Sequence, residues 1–350
     1  MIEAYKDKRV LVTGHTGFKG SWLCEILLEA GAEVCGYALK APTQPNLFGQ
    51  LALARRIAKH RIGDIRDSGA FARTVKSFRP DVVFHLAAQP LVRESYRTPL
   101  ETFDTNVMGT VNVLEAVRKA DRPCKVVCIT TDKVYENDNC GHAFVEDDPK
   151  GGSDPYSASK GACEIAIQAY RRSFFADPNG PVWVASARAG NVIGGGDWAQ
   201  DRILPDAMRA FLKGRPLAVR NDRSTRPWQH VLEPLFGYLT LGAQSDFARF
   251  STAYNFGPRA ATVKTVGELV KEVMRHFDAP KFVNKTDPKA PPEAKLLTLD
   301  STKAKRLLGW SPRWNFKETV MNTVEWYQAV SAGADAREIT DAQIRKYDER

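Results

Sequence analysis

A glycine-rich turn between the first apolar strand and the first apolar helix constrains the fold of this chain most. Residues 9–13 read as a short buried strand that runs directly into three glycines at a GxxGxxG spacing. The first glycine permits a tight turn, the second lets backbone N–H groups approach a pyrophosphate, and the third lets helix and strand pack closely. The turn predicts a dinucleotide site, with an ordinary loop as the alternative. Its predicted contacts are Gly14, Thr16, Gly17, Phe18 and Gly20.

Short apolar runs alternate with helical patterns through the first half of the chain. The runs predict strands at residues 9–13, 33–38, 61–65, 82–87, 125–130 and 182–188. Apolar residues three or four positions apart predict helices at residues 21–30, 68–79, 99–120 and 156–174. Such alternation implies right-handed crossovers and a parallel sheet. The predicted fold class is α/β, a Rossmann-type doubly wound parallel sheet followed by a smaller C-terminal α/β domain.

In the second half, the alternation of strand-like and helix-like segments is less regular, and glycine and proline residues separate shorter segments. We predict a cofactor-binding domain at residues 1–189 and a substrate-binding domain at residues 190–350. Residues 278–292 read as a surface connection, and we find no internal repeat. Within this half we expect helices at 201–213, 268–277 and 316–330, with short strands near Leu217 and Leu297.

Composition narrows the class of protein. The chain has 350 residues, 43% of them hydrophobic and 26% charged, which is typical of soluble globular proteins. No stretch approaches the roughly 18 uninterrupted apolar residues of a membrane span, and the charged start does not resemble a leader, so we expect a cytoplasmic protein without membrane contact.

The six cysteines form no CxxC pair, so we expect no metal site. The net charge of +9 favours an anionic partner, but the basic residues are scattered without interleaved aromatic residues, which argues against nucleic acid.

The second predicted strand lacks the acid that usually holds the adenosine ribose. In dinucleotide sites this acid stands about 20 positions beyond the glycine turn. Here the strand is followed by Leu39 and Lys40, so the choice between NAD and NADP stays open, and Lys40 could face a 2′-phosphate. After the third strand, Asp64 and Ile65 are candidates for contact with adenine, although Asp64 could equally cap a turn.

The fourth strand ends in His85 and two small residues that would let the chain lie against a cofactor. The predicted contacts of this segment are Leu86, Ala87, Ala88 and Gln89. Alanine is also common in protein cores, so the segment supports a cofactor site only together with the glycine turn.

Tyr156 and Lys160 carry the strongest local signal. Their i, i+4 spacing places a phenol and an ammonium on one face of a helix. A phenol with a pKa near 10 is a poor base at neutral pH, and lowering that pKa by about three units requires about 4 kcal/mol of phenolate stabilisation. A neighbouring ammonium and a cationic nicotinamide both act in that direction. The alternative is an accidental surface pair.

The fifth strand runs into Thr131, Asp132 and Lys133 at the edge where ligands bind to open parallel sheets. The adjacent carboxyl and amine could divide acid and base roles if burial keeps the lysine partly neutral. A solvated turn pair is the alternative.

Taken together, these motifs resemble the extended short-chain dehydrogenase/reductase family that acts on nucleotide sugars. The resemblance continues through Asn106-Val-Met-Gly-Thr, Arg188-Ala-Gly-Asn, Arg226-Pro-Trp-Gln-His and Asn255-Phe-Gly-Pro, and is strongest to the CDP-glucose 4,6-dehydratases. It implies NAD as cofactor, CDP-glucose or a related nucleotide sugar as substrate, and a homodimer formed by the helices at 99–120 and 156–174. It also implies that residues 226–241 and 254–257 return to the cofactor domain.

By the same resemblance, Tyr156 and Lys160 form the redox pair, and Thr131, Asp132 and Lys133 surround the sugar. NAD would oxidise C4 of the sugar while Tyr156 takes the hydroxyl proton. Asp132 would then protonate the departing C6 hydroxyl and Lys133 would remove the C5 proton, before hydride returns to C6. Relatives that act on dTDP-glucose are expected to have Glu in place of Lys133, and lysine can serve as the base only if its pKa is lowered.

The resemblance also supplies candidate substrate contacts. These are Arg188, Asn191, Arg226 and His230. Arg226 would hold the diphosphate through paired guanidinium donors, and a surface ion pair is its alternative. Asn191 would be a further donor or else a turn former. Asn106 is an unfavourable residue inside a helix, which invites an orienting role through backbone hydrogen bonds or a bound water. It is therefore also a predicted cofactor contact.

Three other functions share much of this pattern: a nucleotide-sugar 4-epimerase, a carbonyl reductase and a non-enzymatic dinucleotide sensor. An epimerase would not need Asp132 and Lys133 to expel water, a reductase would consume free cofactor, and a sensor would lack Tyr156 and Lys160. We therefore favour dehydration. No residue identifies the nucleotide base, so cytosine rests on the resemblance alone.

Overall fold

A seven-stranded parallel sheet forms the centre of the computed structural model, which describes residues 2–137, 141–278, 280–285 and 297–349. The strands are β1 (Arg9–Thr13), β2 (Glu33–Ala38), β3 (Lys59–Ile62), β4 (Val82–His85), β5 (Cys124–Ile129), β6 (Val182–Arg188) and β7 (Ala253–Asn255). Their order is β3-β2-β1-β4-β5-β6-β7, and every neighbouring pair is parallel. The register pairs Val10 with both Val34 and Val82. The predicted Rossmann-type fold is confirmed.

Helices cover both faces of this sheet. The longer ones are α1 (Phe18–Glu29), α2 (Ser68–Phe78), α3 (Gly109–Ala120), α4 (Pro155–Ser173), α5 (Ile203–Phe211), α6 (Leu232–Gly242), α7 (Val266–Met274), α8 (Thr302–Leu308), α9 (Phe316–Ser331) and α10 (Ala336–Asp348). Short helices lie at Leu47–Gln50, Leu53–Arg56, Val92–Arg97, Pro99–Phe103 and Phe247–Phe250, with single 3₁₀ turns at Ile2–Tyr5, Asp132–Val134 and Ala260–Thr262. In the part of the chain that is described, no helix is long and apolar enough to cross a membrane.

The hydrophobic core consists of one large layer on each side of the sheet. Trp22 of α1, Leu235 of α6 and Trp326 of α9 belong to one layer. Phe71 of α2 and Val113 of α3 belong to the other. Because both faces are covered, the strands read as nearly continuous apolar runs rather than as alternating patterns.

The second half of the chain contributes to the same sheet. Strand β7 pairs with β6 through Ala253 and Ser186, so part of this half completes the sheet. The remaining strands form two-stranded pairs: Ala143–Phe144 with Thr298–Leu299, Val192–Ile193 with Gln229–His230, Leu217–Val219 with Phe282–Asn284, and Thr225–Pro227 with Val263–Thr265. The division into two domains at residue 189 stays a prediction.

Several predicted elements differ from the structure. The third strand ends at Ile62 rather than at residue 65, because Asp64 turns back to bind Arg66. The helix predicted at 99–120 contains a π-helical segment at Asp104–Met108. Helix α6 was not predicted because it is apolar on nearly all sides, and its pattern therefore lacks a polar face.

The predicted surface connection at 278–292 falls only partly on described residues. Within them, Phe282–Asn284 forms a short strand. Residues 279 and 286–292 lie outside the described part of the chain.

Candidate active site

One large cleft opens at the carboxyl ends of the parallel strands. Its volume is about 2480 Å³, well beyond the roughly 300–1,000 Å³ of a pocket for one small ligand. The site therefore has room for a dinucleotide and a second ligand beside it, at the edge where open parallel sheets bind their ligands.

Most of the predicted site residues line this cleft. They are Gly14, Thr16, Gly17, Phe18, Gly20, Asp64, Ile65, Leu86, Ala87, Ala88, Thr131, Asp132, Lys133, Tyr156, Lys160, Asn191 and Arg226. Gln89, Asn106, Arg188 and His230 are not among its lining residues.

The glycine turn is compact because its glycines leave no room for side chains. A Cβ on Gly14, which has a φ of +74°, would lie 2.8 Å from Ala87 N. A Cβ on Gly20 would lie 2.2 Å from Gly14 O. Gly17 precedes α1 and has no side chain to cap the first N–H groups of that helix. This cradle fits NAD, whose pyrophosphate would bind at the N-terminus of α1.

The adenosine end of the cleft differs from the usual arrangement. Leu39 is 56% exposed at the place where an acid is expected, and its carbonyl accepts a hydrogen bond from Thr16 Oγ1 at 2.9 Å. Asp64 lines the cleft, but both of its carboxylate oxygens accept from Arg66 at 2.6–3.1 Å. This pairing lowers the pKa of Asp64. The carboxylate that would contact adenine therefore already accepts hydrogen bonds from Arg66.

The loop after β4 is held by a directed chain of hydrogen bonds. Thr13 Oγ1 accepts from the backbone N–H groups of Leu86 and Ala87, each at 3.1 Å. Its own proton therefore goes to His85 Nδ1 at 2.8 Å, which leaves the proton of His85 on Nε2 to be donated to Thr110 Oγ1. Burial lowers the pKa of His85 to about 3, so the ring stays neutral and keeps this tautomer.

Asn106 connects the same loop to the helix that carries Tyr156. Its Oδ1 accepts from Gln89 N at 2.8 Å, and its Nδ2 donates to Gln89 O and to Ser159 Oγ. The π-helical segment leaves Asn106 O available to the Thr110 hydroxyl at 2.6 Å. Asn106 is 1% exposed and not among the residues that line the cleft, so its predicted contact with the cofactor is corrected: its side chain holds the loop by bonding to the backbone of Gln89. Gln89 is partly exposed, and its contact with the cofactor stays a prediction.

Helix α4 brings Tyr156 and Lys160 into the cleft. Asp154 caps the helix by accepting from Ser157 N at 2.9 Å, and Pro155 occupies its first turn. Burial raises the pKa of Tyr156 to about 12, against the lowering effect of hydrogen bonding with Thr131. Burial also lowers the pKa of Lys160, whose ammonium donates to Ile129 O at 3.4 Å. The lowered phenol pKa expected from the sequence therefore requires additional positive charge, such as a nicotinamide ring.

Asp132 and Lys133 lie in a 3₁₀ turn directly after β5. The carboxylate of Asp132 is 1% exposed, and its Oδ1 accepts from Thr131 Oγ1 at 2.9 Å and from Lys133 Nζ at 3.4 Å. Its Oδ2 is buried without a partner in the described part of the structure. Gly190 allows this position, since a Cβ there would lie 2.5 Å from Oδ2. An acid with one unengaged oxygen thus lies beside an amine in the same cleft as Tyr156.

Comparison with known proteins agrees with this geometry. A sequence model of the GDP-mannose 4,6 dehydratase family matches residues 11–323. This chain belongs to that family. It is 48% identical to the CDP-glucose 4,6-dehydratase of Salmonella typhimurium over 96% of each chain. It is 28% identical to the dTDP-glucose 4,6-dehydratase of Neisseria meningitidis serogroup B, over 91% of this chain and 93% of that one.

Solved structures show the same fold. The dTDP-glucose 4,6-dehydratase of Streptomyces venezuelae, solved with NAD bound, superposes with a TM-score of 0.77 at 25% identity, over 94% of this chain and 99% of that one. The UDP-glucose 4-epimerase of Thermus thermophilus, in complex with NAD, gives 0.77 at 26% identity, over 91% and 99%. The predicted membership of the extended short-chain dehydrogenase/reductase family is confirmed.

Two residues predicted to bind substrate lie elsewhere in this member of the dehydratase family. Arg188 is buried in an ion pair with Glu164 at 2.7 Å and also donates to Tyr135 and to Glu146 O. His230 is fully buried between the rings of Trp22 and Trp314. Both predictions are corrected, because these side chains are enclosed by the core and do not line the cleft.

Two cations of the cleft were missed by the sequence analysis. Arg202 pairs with Asp197 at 2.8 Å and lowers the pKa of Tyr156. Lys19 follows the second glycine, and burial together with the charge of Arg202 lowers its pKa to about 8. The position of Lys19 inside the glycine motif could have indicated a place in the cleft, whereas Arg202 belongs to no motif that the sequence shows. With Lys133 and Lys160 they make the cleft cationic, which fits ligands that carry diphosphates.

The described residues contain no cluster of side chains that could hold a metal ion. Cys24, Cys35, Cys124, Cys128 and Cys163 are free and buried. No group of three or more possible ligands lies together in that part of the chain. Cys140 lies outside it.

Substituting Gly190 by alanine tests the placement of Asp132. If Asp132 takes part in catalysis, we expect Gly190→Ala to lower kcat by about 10²-fold, because the new methyl group displaces the carboxyl group of Asp132 by about 1 Å. Cofactor affinity should change little. Gly69→Ala is the control, since its Cβ would meet Arg73 and Asp67 only at 3.4 and 3.5 Å. Equal kcat values for Gly190→Ala and wild type would contradict the assignment of Asp132.

The buried ring of His230 predicts a pH-dependent stability. Burial lowers its pKa to about 3, so the folded protein keeps it neutral while the unfolded chain binds a proton below pH 6.5. Stability is therefore lost as the pH falls from 7 to 5, by about 2 kcal/mol from this residue. His230→Asn should remove that part of the pH dependence in urea unfolding curves. If the wild type and the variant lose the same free energy of unfolding between pH 7 and pH 5, the effect of His230 is disproved.

Proposed function

We propose that this protein is a hydro-lyase that converts CDP-glucose to CDP-4-keto-6-deoxyglucose with NAD as its cofactor. The observation that carries the proposal is the presence of Asp132 and Lys133 in one cleft with Tyr156 and Lys160. The identity of 48% to a CDP-glucose 4,6-dehydratase over nearly the whole chain supports the choice of substrate. NAD, when bound, accepts hydride from C4 of the sugar and returns it to C6.

Tyr156 is the base for the oxidation. As a phenolate it takes the proton of the C4 hydroxyl, and Lys160 on the same helical face stabilises its negative charge. The resulting ketone makes the neighbouring C5 hydrogen acidic. Elimination of the C6 hydroxyl from the adjacent carbon then becomes feasible.

Asp132 and Lys133 perform the elimination. Asp132 donates a proton to the departing C6 hydroxyl, and Lys133 removes the C5 proton and later returns it. A 4-epimerase needs neither step, so the buried acid and the amine beside it favour dehydration. The side chain of Lys133 is 27% exposed, and its Nζ lies 3.4 Å from Asp132 Oδ1.

Arg226 and Asn191 remain the proposed contacts for the sugar nucleotide. Both line the cleft. A guanidinium offers paired donors to phosphate oxygens, and the cationic surroundings favour a diphosphate. Arg226 also donates to the carbonyl of Thr225 at 2.8 Å, which orients its guanidinium.

A direct assay tests the function. The protein is incubated with NAD and one nucleotide sugar at a time: CDP-glucose, dTDP-glucose or GDP-mannose. The masses of the products are measured by mass spectrometry. We expect a product one water lighter from CDP-glucose, with a deuterium from C4 recovered at C6. Tyr156→Phe should stop the oxidation, whereas Lys133→Ala should allow oxidation but impair elimination. Unreacted sugar in all three incubations would refute the proposal.

We also propose that two copies associate through helices on the face formed by residues 99–120 and α4. Leu100, Phe103, Met108 and Ile165 are exposed there, with Leu100 at 86% and Ile165 at 60%. An apolar patch shared by neighbouring helices is typical of a subunit interface. Cytoplasmic localisation stays a prediction. We also propose, from the family resemblance alone, a role in deoxysugar synthesis for O-antigen lipopolysaccharide.

Charged substitutions on this face test the dimer. We expect the double variant Leu100→Asp, Ile165→Asp to sediment as a monomer, because two copies would have to bury unpaired carboxylates. Val283→Asp, at a site 44% exposed elsewhere on the molecule, is the control and should sediment like wild type. A wild-type monomer, or a double variant that remains dimeric, would rule out this interface.

A further inference from the structure

The backbone N–H of Tyr156 has its hydrogen-bond partner outside its own helix. It donates to the hydroxyl oxygen of Ser95 at 3.1 Å. Ser95 lies in the short helix at Val92–Arg97, is 0% exposed, and donates its single hydroxyl proton to Val92 O at 2.6 Å. Because that proton is already used, the oxygen of Ser95 can only accept at Tyr156. The direction of this buried hydrogen bond is therefore fixed.

The way in which α4 begins explains why an outside acceptor is needed. The first N–H groups of a helix have no partner within the helix. Pro155 has no N–H to satisfy, and Asp154 Oδ1 accepts from Ser157 N at 2.9 Å. In this first turn the N–H of Tyr156 is thus left to Ser95.

The carbonyl of Tyr156 is also held by a buried hydroxyl. Ser159 Oγ donates to Tyr156 O at 2.7 Å and accepts from Asn106 Nδ2 at 2.9 Å. Asn106 in turn binds the backbone of Gln89 in the loop after β4. Both hydrogen-bonding groups of the Tyr156 backbone are therefore tied to the segment that follows β4, one directly and the other through two side chains.

The short helix at Val92–Arg97 is at the same time part of the wall of the cleft. Arg93, Glu94 and Tyr96 line the cleft, and the helix packs against α4. The hydroxyl of Ser95 therefore fixes the main chain that carries the phenol relative to this wall.

We propose that Ser95 is a positioning residue for the oxidation of the sugar, an inference that rests on the proposed function. Its hydroxyl holds the main chain at Tyr156, and with it the phenol, in the position from which the phenol takes the C4 hydroxyl proton. Such a proton transfer needs the two oxygens about 2.6–3.2 Å apart, and a misplacement of about 1 Å can lower a rate by 10²-fold. A small movement of the first turn of α4 is therefore enough to slow the reaction.

Ser95→Ala and Ser95→Thr test this role. Alanine leaves the N–H of Tyr156 without its acceptor, whereas threonine keeps the hydroxyl. With CDP-glucose and saturating NAD, we expect Ser95→Ala to lower kcat by about 10-fold and to keep KM within about twofold of wild type. The rates are divided by the folded fraction, which is measured by circular dichroism. Ser95→Thr should regain most of the lost kcat.

The pH profile distinguishes a displaced phenol from a smaller folded fraction. Moving the phenol away from Lys160 weakens the stabilisation of its phenolate, so the pKa that governs the acidic limb of the kcat profile should rise. We expect this limb to move to higher pH by about half a unit in Ser95→Ala. A loss of folded protein alone leaves the limb in place once the rates are divided by the folded fraction.

Thr74→Val is the matched control. Thr74 lies on α2, is 3% exposed and donates its hydroxyl proton to Ala70 O at 3.0 Å, much as Ser95 donates to Val92 O. The variant loses a buried hydroxyl whose described hydrogen bond lies within its own helix. Its kcat, KM and pH profile should equal those of wild type.

The outcomes separate the role of Ser95 from the proposed function. If the wild-type protein forms no dehydrated product, the proposed function fails and the role of Ser95 falls with it. If the wild type dehydrates CDP-glucose, three results overturn the positioning role and leave the dehydratase in place. These are a wild-type kcat in Ser95→Ala, a lowered kcat with an unmoved pH profile, and a folded Ser95→Thr that is as slow as Ser95→Ala. If Ser95→Ala does not fold, Ser95→Cys replaces it, because a thiol is only a weak acceptor.

Discussion

Parallel strand direction is the constraint from which the rest of this structure follows. Because β1, β4, β5 and β6 all run the same way, the turns that follow them meet at one edge of the sheet. Thr13 joins two of these turns by accepting the backbone N–H groups of Leu86 and Ala87. The close approach of Gly14 to Ala87 then leaves no room for a side chain between them. The Thr13 hydroxyl and the close approach of two backbone segments therefore hold these two turns together.

Burial determines the electrostatics of this cleft. Burial lowers the pKa of both Lys19 and Lys160, and the charge of Arg202 lowers that of Lys19 further. Burial raises the pKa of Tyr156, because the charged form of a phenol is negative. Anionic ligands relieve the repulsion between the cations. Their diphosphates would complement the cleft, and a cationic nicotinamide beside Tyr156 would favour its phenolate.

Much of the fold could be predicted from local pattern. Strands β1, β2 and β6 begin and end where their apolar runs do, because a strand covered on both faces is marked by continuous hydrophobicity. Helix α6 could not be found in this way, since it is covered on nearly every side and has no polar face. The π-helical segment around Asn106 also has no periodic signal. Asn106 in this segment makes tertiary contacts that local spacing does not show: its side chain bonds to Gln89 N and Ser159 Oγ, and its carbonyl accepts from Cys163 Sγ.

The sequence alone determined the chemistry that is available: a glycine turn, a phenol and an amine one helical turn apart, and an acid next to a lysine after β5. Residue type and short spacing suffice for these because each group is local in the chain. Tertiary structure decided which side chains line the cleft. Arg188 and His230 belong to recognisable motifs but are enclosed by the core, whereas Arg202 has no motif and lies in the cleft. Contacts between distant segments of the chain determine which side chains are buried and which partners they bind. The spacing of residues along the sequence does not show these contacts.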